Sequence, residues 1–424
     1  MQQGETRIRF LLAQKGFPRL LSTRLLAQLG DGVFQAALAG TVLFNPQRAA
    51  DPVDVAVGFA ILLLPYSLVG PFAGVWLDRW SRRQVLVRAN LLRAALVAVV
   101  AALVLAGVGG MPFYVAGLVV FSVNRFVLAA LSAALPHTTD PSSLVSANAV
   151  STTSGAVATV VGGGAGLALL QLAGSGNAGY ATLTLAAALP YLGASAVAAG
   201  FSRGDLGPDH VTRSARPSAR DVARGMVAGA RHAWARPPAA AALLAISLHR
   251  LCFGFLTLMT LLLYRNTFRS WGALFPAGLT GLSEVLGAGA VGTLLAAVVT
   301  PRVVRHLGKP RWISLAMAGG GLAQVALGLP FLPPTIVAAG FTLGFVAQSV
   351  KICVDTTLQE SVADDYRGRV FSVYDTLYNV TFVGAVVIAA FVLPPSGVSY
   401  PVLVTVGAGY LLAAVAYARI TRKH

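Results

Sequence analysis

The sequence predicts an all-α membrane protein in which twelve transmembrane helices form two six-helix bundles. Three observations carry that expectation. Of 424 residues, 56% are hydrophobic and 11% charged, with a mean hydropathy of +0.72; a soluble domain carries roughly 25% charged residues. Long apolar runs recur along the whole chain, and since a span needs about 20 apolar residues, a chain of this length holds about a dozen. One long hydrophilic connection, residues 202–238, divides the runs six and six. The expected parts are a bundle over 1–201, a cytoplasmic linker over 202–238 and a second bundle over 239–424.

Each run is bounded by turn residues or charges. The first, 19–44, rises from a basic tail and stops at Asn45-Pro46. The second, 54–77, lies between Asp51-Pro52 and Asp78. The third and fourth, 84–107 and 112–135, are parted only by Gly107-Val108-Gly109-Gly110-Met111. The fifth, 144–173, ends at Gly174-Ser175-Gly176, and the sixth, 179–201, at Ser202-Arg203. The seventh, 239–264, follows Pro237-Pro238, and the eighth, 278–300, stops before Pro301. The ninth and tenth, 312–332 and 334–357, meet at Leu332-Pro333-Pro334. The eleventh, 368–393, ends at Pro394-Pro395, and the twelfth, 399–418, at Arg419.

Charge orients the chain. With the N-terminus inside, the inner segments hold 25 Lys and Arg against three outside (Arg48, Arg265, Arg269), which predicts both termini in the cytoplasm. The same bias explains the formal charge of +17, so no nucleic-acid partner is expected; the basic loops face anionic lipid headgroups instead. Within the linker, Val222, Met226, Ala230 and Trp234 share one helical stripe while Arg220, Arg224 and Arg231 face away. That pattern predicts an amphipathic helix lying on the membrane surface.

Cys252 and Cys353 both fall in apolar runs and predict neither a disulfide nor a metal site. The first 30 residues lack a short apolar core with a small-residue cleavage site, so no cleaved leader is expected. The sequon Asn379-Val380-Thr381 lies within a span and is discounted. The two halves share weak matches: Leu25-Leu26-Ala27 with Leu243-Leu244-Ala245 sets Asp31 opposite His249, and Ala116-Gly117 with Ala339-Gly340 sets Arg125 opposite Gln348.

The turn Gly74-x-x-x-Asp78-Arg79-x-x-Arg82-Arg83 resembles the loop between the second and third helices of the major facilitator superfamily of secondary transporters, with Ser81 where a second small Gly is usual. Two further stretches resemble one branch of it. Gln28-Leu29-Gly30-Asp31-Gly32 is similar to the first helix of twelve-span drug and siderophore exporters. Asp355-x-x-x-Gln359-x-x-Val362 with Arg367-Gly368-Arg369-Val370-Phe371-Ser372 is similar to the helix 10–11 connection of enterobactin and macrolide exporters. Arg125 stands in the fourth span, where the family often has a functional Arg, although the neighbouring family Gly is Ala129 here. The fifth span has Gly155 and Gly162-Gly163-Gly164-Ala165-Gly166 but no proline, a departure from the drug–proton antiporters that weakens an inference of antiport.

The resemblance implies the major facilitator fold, with a substrate cavity between the bundles and rocking of one against the other. A cytoplasmic gate would use Gly74, Asp78, Arg79, Arg82 and Arg83, with Asp78 meeting the positive end of a helix that starts near Gly368. Lys351 and Asp355, four apart on one face, with Asp375, Arg367 and Arg369, either join that gate or snorkel at the helix ends. Asp31 and Glu284 are the expected proton carriers, the alternatives being a structural ion pair for Asp31 and interfacial solvation for Glu284. Asp31 is expected to pair with Arg125. Arg125, His249, Arg250, Tyr378 and Asn379 are expected to line the cavity; His249 fits equally a satisfied bundle histidine.

No His-Glu-x-x-His motif, phosphate-binding Gly-rich loop or ATP-binding domain is present, so no enzyme activity, cofactor or metal is expected and a gradient must drive transport. The resulting expectation is proton-coupled export of a small amphipathic compound by a monomer in a bacterial cytoplasmic membrane, with an Ala- and Arg-rich composition suggesting a high-GC genome. Uptake, or flipping of a lipid or cell-wall intermediate, is the alternative on the same fold; a membrane enzyme or scaffold is a third.

Overall fold

The computed structural model describes residues 11–14, 16–43, 57, 61, 80–140, 143–174, 176–202, 204–207, 219–272 and 274–422. They form helices and short turns, and no strand occurs among them beyond one bridge between Trp271 and Phe275. They divide into two compact units that part between Val222 and Ala223.

The first unit contains α1 (Phe17–Leu43), α2 (Arg82–Leu105), α3 (Met111–Ala134), α4 (Leu144–Ala173), α5 (Asn177–Ala186) and α6 (Ala188–Ala199). Helix α7 (Ala219–Trp234) carries the division. The second unit continues with α8 (Pro237–Leu262), α9 (Gly278–Leu307), α10 (Lys309–Gly328), α11 (Pro333–Ser361), α12 (Asp364–Val392) and α13 (Tyr400–Arg422). Among the described residues nine helical stretches, with α5 and α6 taken as one, are long and apolar enough to cross a membrane. Helices α1 and α10 are less apolar: Gln28, Asp31 and Gln35 interrupt one, and Gly319 to Gly321 with Gln324 the other. The expected second span, 54–77, lies outside the described residues apart from Val57 and Ile61.

In lipid every backbone polar group must be satisfied within the segment, which is why these apolar runs are helical. Hydroxyls inside them bond back along their own helix, as Thr41 does to the Ala37 carbonyl (2.8 Å) and Thr257 to that of Phe253 (2.7 Å). Large apolar side chains face outward, among them Val160, Leu172, Leu286, Leu294, Phe391 and Leu412. Water would not tolerate that surface; acyl chains do.

Helix contact inside each unit follows one plan. In the first unit α1 lies on α4 and α6, and α2 lies on α3 and α6; in the second, α8 lies on α12 and α13, and α10 on α11 and α13. Glycine makes the closest of these approaches. A Cβ on Gly32 would stand 1.9 Å from the Thr159 carbonyl oxygen of α4, and one on Gly344 would stand 2.0 Å from the Gly289 carbonyl oxygen of α9. Small residues let backbones meet this closely when no hydrophobic force drives helices together in lipid.

Two expectations on element limits change. The sixth run is two helices, broken at Ala187, because Pro190 has no N–H for the Ala186 carbonyl. The eighth does not stop at Pro301: α9 continues through it to Leu307, and the Arg302 side chain donates to the Val298 carbonyl (2.7 Å) beside the interruption. Helix α7 forms where the linker pattern predicted a helix; Gly229 lies against the Arg369 backbone of α12 and Ala233 is buried, while Trp234 of the apolar stripe is exposed.

Candidate functional site

In the first unit the polar centre is Asp31, midway along α1 and only 4% exposed. The expected partner, Arg125, is not the one it has. Asp31 Oδ1 is paired with Arg93 of α2, an arginine buried completely, and accepts a hydrogen bond from the Tyr191 hydroxyl of α6 (3.0 Å). Arg125 is half-buried on α3. The reason is register: Arg93 lies about three turns into α2, level with Asp31, and stacks on Tyr191 with Cζ 3.8 Å from the ring centroid. Its Nη1 donates to Asn90 Oδ1 (3.1 Å), and Asn90 in turn donates to the Leu86 carbonyl (2.7 Å).

The glycines flanking Asp31 open the room for this cluster. A Cβ on Gly30 would stand 2.5 Å from Tyr191 Cε1, and Gly32 lets α4 close on the other side. Gly162 of α4 likewise lies against the Leu29 carbonyl oxygen, where a Cβ would come within 2.1 Å. Thus Gly30-Asp31-Gly32 sets a carboxylate between two helices whose approach depends on its neighbours having no side chain.

The second unit carries the related arrangement without the ion pair. His249 on α8 is 1% exposed, and its Nδ1 lies 3.1 Å from the Tyr410 hydroxyl of α13. Each first helix therefore offers a buried polar residue to a tyrosine on its unit's last helix: Asp31 to Tyr191, His249 to Tyr410. This is the correspondence the weak internal alignment set up.

Next to His249, Arg250 points into an aromatic cage. Its Cζ lies 4.0 Å from the ring centroid of Tyr378, 4.3 Å from Phe382 and 5.1 Å from Phe253. Its Nε donates to the Tyr378 carbonyl (3.2 Å). Cation–aromatic contact of this desolvated kind contributes about 2 kcal/mol. Lys351 on α11 lies on Tyr378 as well (6.0 Å), donates to Asp355 (2.7 Å) and reaches the Tyr374 hydroxyl (3.4 Å). Asn379 donates to the Asp375 carbonyl of its own helix (2.9 Å), and the Asp375 side chain is exposed. Glu284 lies on α9 near Tyr264 and is half-buried.

The basic residues at the helix ends act mainly on carbonyls. Arg82 is buried and donates to the carbonyls of Ala133 (3.0 Å) and Leu206 (3.1 Å), with His137 Nε2 at 2.6 Å. Arg83 donates to the Ala199 carbonyl at the end of α6 (2.8 Å). Cations suit these C-terminal helix ends, whose last carbonyls have no helical donor. Arg369 lies over Tyr366, its Cζ 5.3 Å from the ring centroid. Gly74, Asp78 and Arg79 lie outside the described residues, as does the side chain of Arg367.

Sequence comparison decides the family. A profile described as Major Facilitator Superfamily matches residues 20–386. The chain belongs to the major facilitator superfamily. An uncharacterized MFS-type transporter of Mycobacterium tuberculosis is 41% identical over 399 residues, covering 94% of this chain and 89% of that one, and a counterpart in Mycobacterium bovis matches equally. Among solved structures, the nucleoside transporter NupG superposes with a TM-score of 0.69 at 12% identity, covering 96% of this chain and 99% of the other. A POT family transporter in complex with 5-aminolevulinic acid gives 0.69 at 11%, covering 97% and 96%. A bacterial homologue of the iron transporter ferroportin in its outward-facing state gives 0.55 at 18%, covering 96% and 99%. At these identities the likeness is one of fold, and the differing ligands in those names show how far cargo diverges on it.

This major facilitator protein is therefore a multi-pass membrane transporter. Its best-formed polar cluster was only half legible. Asp31 stood out as an acid between glycines, whereas Arg93 and Tyr191 read as span residues. The available signal was Arg93 itself: an arginine ten residues inside an apolar run needs a buried acid, and Asp31 is the mid-span acid of the same half.

Proposed function

We propose that this transporter exports small amphipathic compounds across a bacterial inner membrane, coupled to inward proton movement, in the manner of the drug and siderophore branch. The observation that carries the reading is the buried Asp31–Arg93–Tyr191 cluster. A carboxylate in the middle of a span is costly unless paired, and protonating Asp31 removes the charge that holds Arg93. Contact between α1, α2 and α6 then weakens, which gives a proton a direct effect on helix packing. Glu284 is the second proposed carrier, in the other half.

In this reading residues 1–201 and 239–424 are the two rocking bundles, joined by 202–238, with both termini cytoplasmic. Arg125, His249, Arg250, Tyr378 and Asn379 face the cargo. Gly74, Asp78, Arg79, Arg82, Arg83, Lys351, Asp355, Arg367, Arg369 and Asp375 form the cytoplasmic gate. The protein works as a monomer without cofactor, its partners being the cargo, protons and lipid.

The test is proton flux in proteoliposomes with an internal pH dye and a panel of hydrophobic cations, macrolides and siderophores. At least one compound should move protons, and Asp31→Asn should stop that movement. Compounds that cross without protons, or an Asp31→Asn protein that behaves as the unaltered one, would make Asp31 structural and favour facilitated transport or lipid flipping.

A further inference from the structure

We infer that Arg250 is a recognition point for an acidic group, so that the cargo is an organic anion with an apolar body. The inference rests on the reading that Arg250 faces the cargo. Arg250 is 7% exposed, and its side chain uses one of its donors, Nε, on the Tyr378 carbonyl. Among the described residues its two terminal nitrogens have no hydrogen-bond acceptor and no carboxylate pairs with it. That sets it apart from two other buried helix cations of the described residues: Arg93 has Asp31, and Arg24 donates to Gln28 Oε1 and Ser151 Oγ.

The neighbouring charges do not supply the missing anion. Lys351, which also lies by the Tyr378 ring, already holds Asp355, so that pair is neutral and leaves Arg250 uncompensated. Asp375, one turn before Tyr378 on α12, is exposed and is not a partner of Arg250. His249 is turned to Tyr410. The Tyr378, Phe382 and Phe253 rings surround the guanidinium carbon, and only its Nε donates to the protein, which leaves the two terminal nitrogens for a ligand. A planar fork of two N–H groups matches a carboxylate, sulfonate or phosphate bidentately. The same rings offer an apolar wall to the remainder of the molecule.

The test uses three probes of one length: a dansyl-labelled alkyl carboxylic acid, its methyl ester and the matching amine. Binding to the purified full chain in lipid nanodiscs is followed by dansyl fluorescence, and transport is followed in proteoliposomes. The acid should bind about 10-fold or more tightly than the ester, the equivalent of a single charge-assisted contact. Arg250→Gln should abolish that preference while leaving ester affinity in place, and Arg250→Lys should keep part of it. A preserved elution profile and ester affinity for both variants separate recognition from folding; if both variants lose ester binding and compactness together, Arg250 is structural and the inference falls. It also falls if acid and ester bind equally, if Arg250→Gln keeps the preference, or if no probe binds. Transport of the amine with no binding of the acid would leave the export reading standing and remove this one. Arg250-dependent binding of the acid without proton-coupled export would do the reverse.

Discussion

Asp31 and Arg93 make the sharpest residue-level case because each is costly without the other. Arg93→Met should leave a buried, unpaired carboxylate and destabilise the protein by about 3–5 kcal/mol. The Asp31→Asn/Arg93→Met double variant should recover much of that loss, since both charges are gone. Thermal unfolding in detergent, followed by a thiol-reactive dye on Cys252 and Cys353, which are buried in the folded chain, reads both. Equal loss in the single and double variants would show that the pair contributes shape alone. Tyr191→Phe removes one hydrogen bond to Asp31 and should cost about 1 kcal/mol in the same assay. The stack of Arg93 on the ring survives that change.

At the scale of helices, glycine spacing decides which pairs can close. Gly32→Ala should push α1 from α4, because the new methyl would meet the Thr159 carbonyl oxygen at 1.9 Å. Overpacking of this kind costs about 1–3 kcal/mol or more, and relief by helix displacement would open the Asp31 cluster too. Gly164→Ala is the matched control, since nothing lies within 4 Å of the position its Cβ would take. Lower folded yield for the first and unchanged yield for the second is the expected result; equal yields would refute a packing role for Gly32. Helix α7 depends on the same device, with Gly229 against Arg369 and the His232 ring stacked on Tyr366 at 4.1 Å. Gly229→Leu should lift α7 from α12 and expose it to protease, which limited trypsin digestion at Arg224 and Arg231 would detect.

Across the whole molecule, charge placement predicts orientation. A single cysteine placed at Arg269, in a chain whose own cysteines are replaced, should react with a membrane-impermeant maleimide on intact cells. One placed at Arg220 should react only after the membrane is opened. The reverse pattern would overturn the assignment of both termini to the cytoplasm. The repeated helix partnerships bear on the same scale. The two units share a packing plan but differ in their polar centres, an acid in one and a histidine beside an arginine in the other.

Membrane insertion and the position of most described helices were legible in the sequence, because each follows from local quantities. Apolar length decides a span, and turn residues or charges bound it. Family membership was legible for a similar reason: the Gly74 to Arg83 turn is contiguous. The site was legible only where one residue advertised itself, as Asp31 did between two glycines and Arg250 did as a charge in an apolar run. Partner choice was a tertiary matter. Whether Asp31 meets Arg125 or Arg93 depends on which helix comes level with it, and periodicity within one helix carries no information on height between helices. The aromatic cage of Arg250 was hidden likewise, since Phe253 precedes Tyr378 and Phe382 by more than a hundred residues and only the packing of α8 on α12 brings them together.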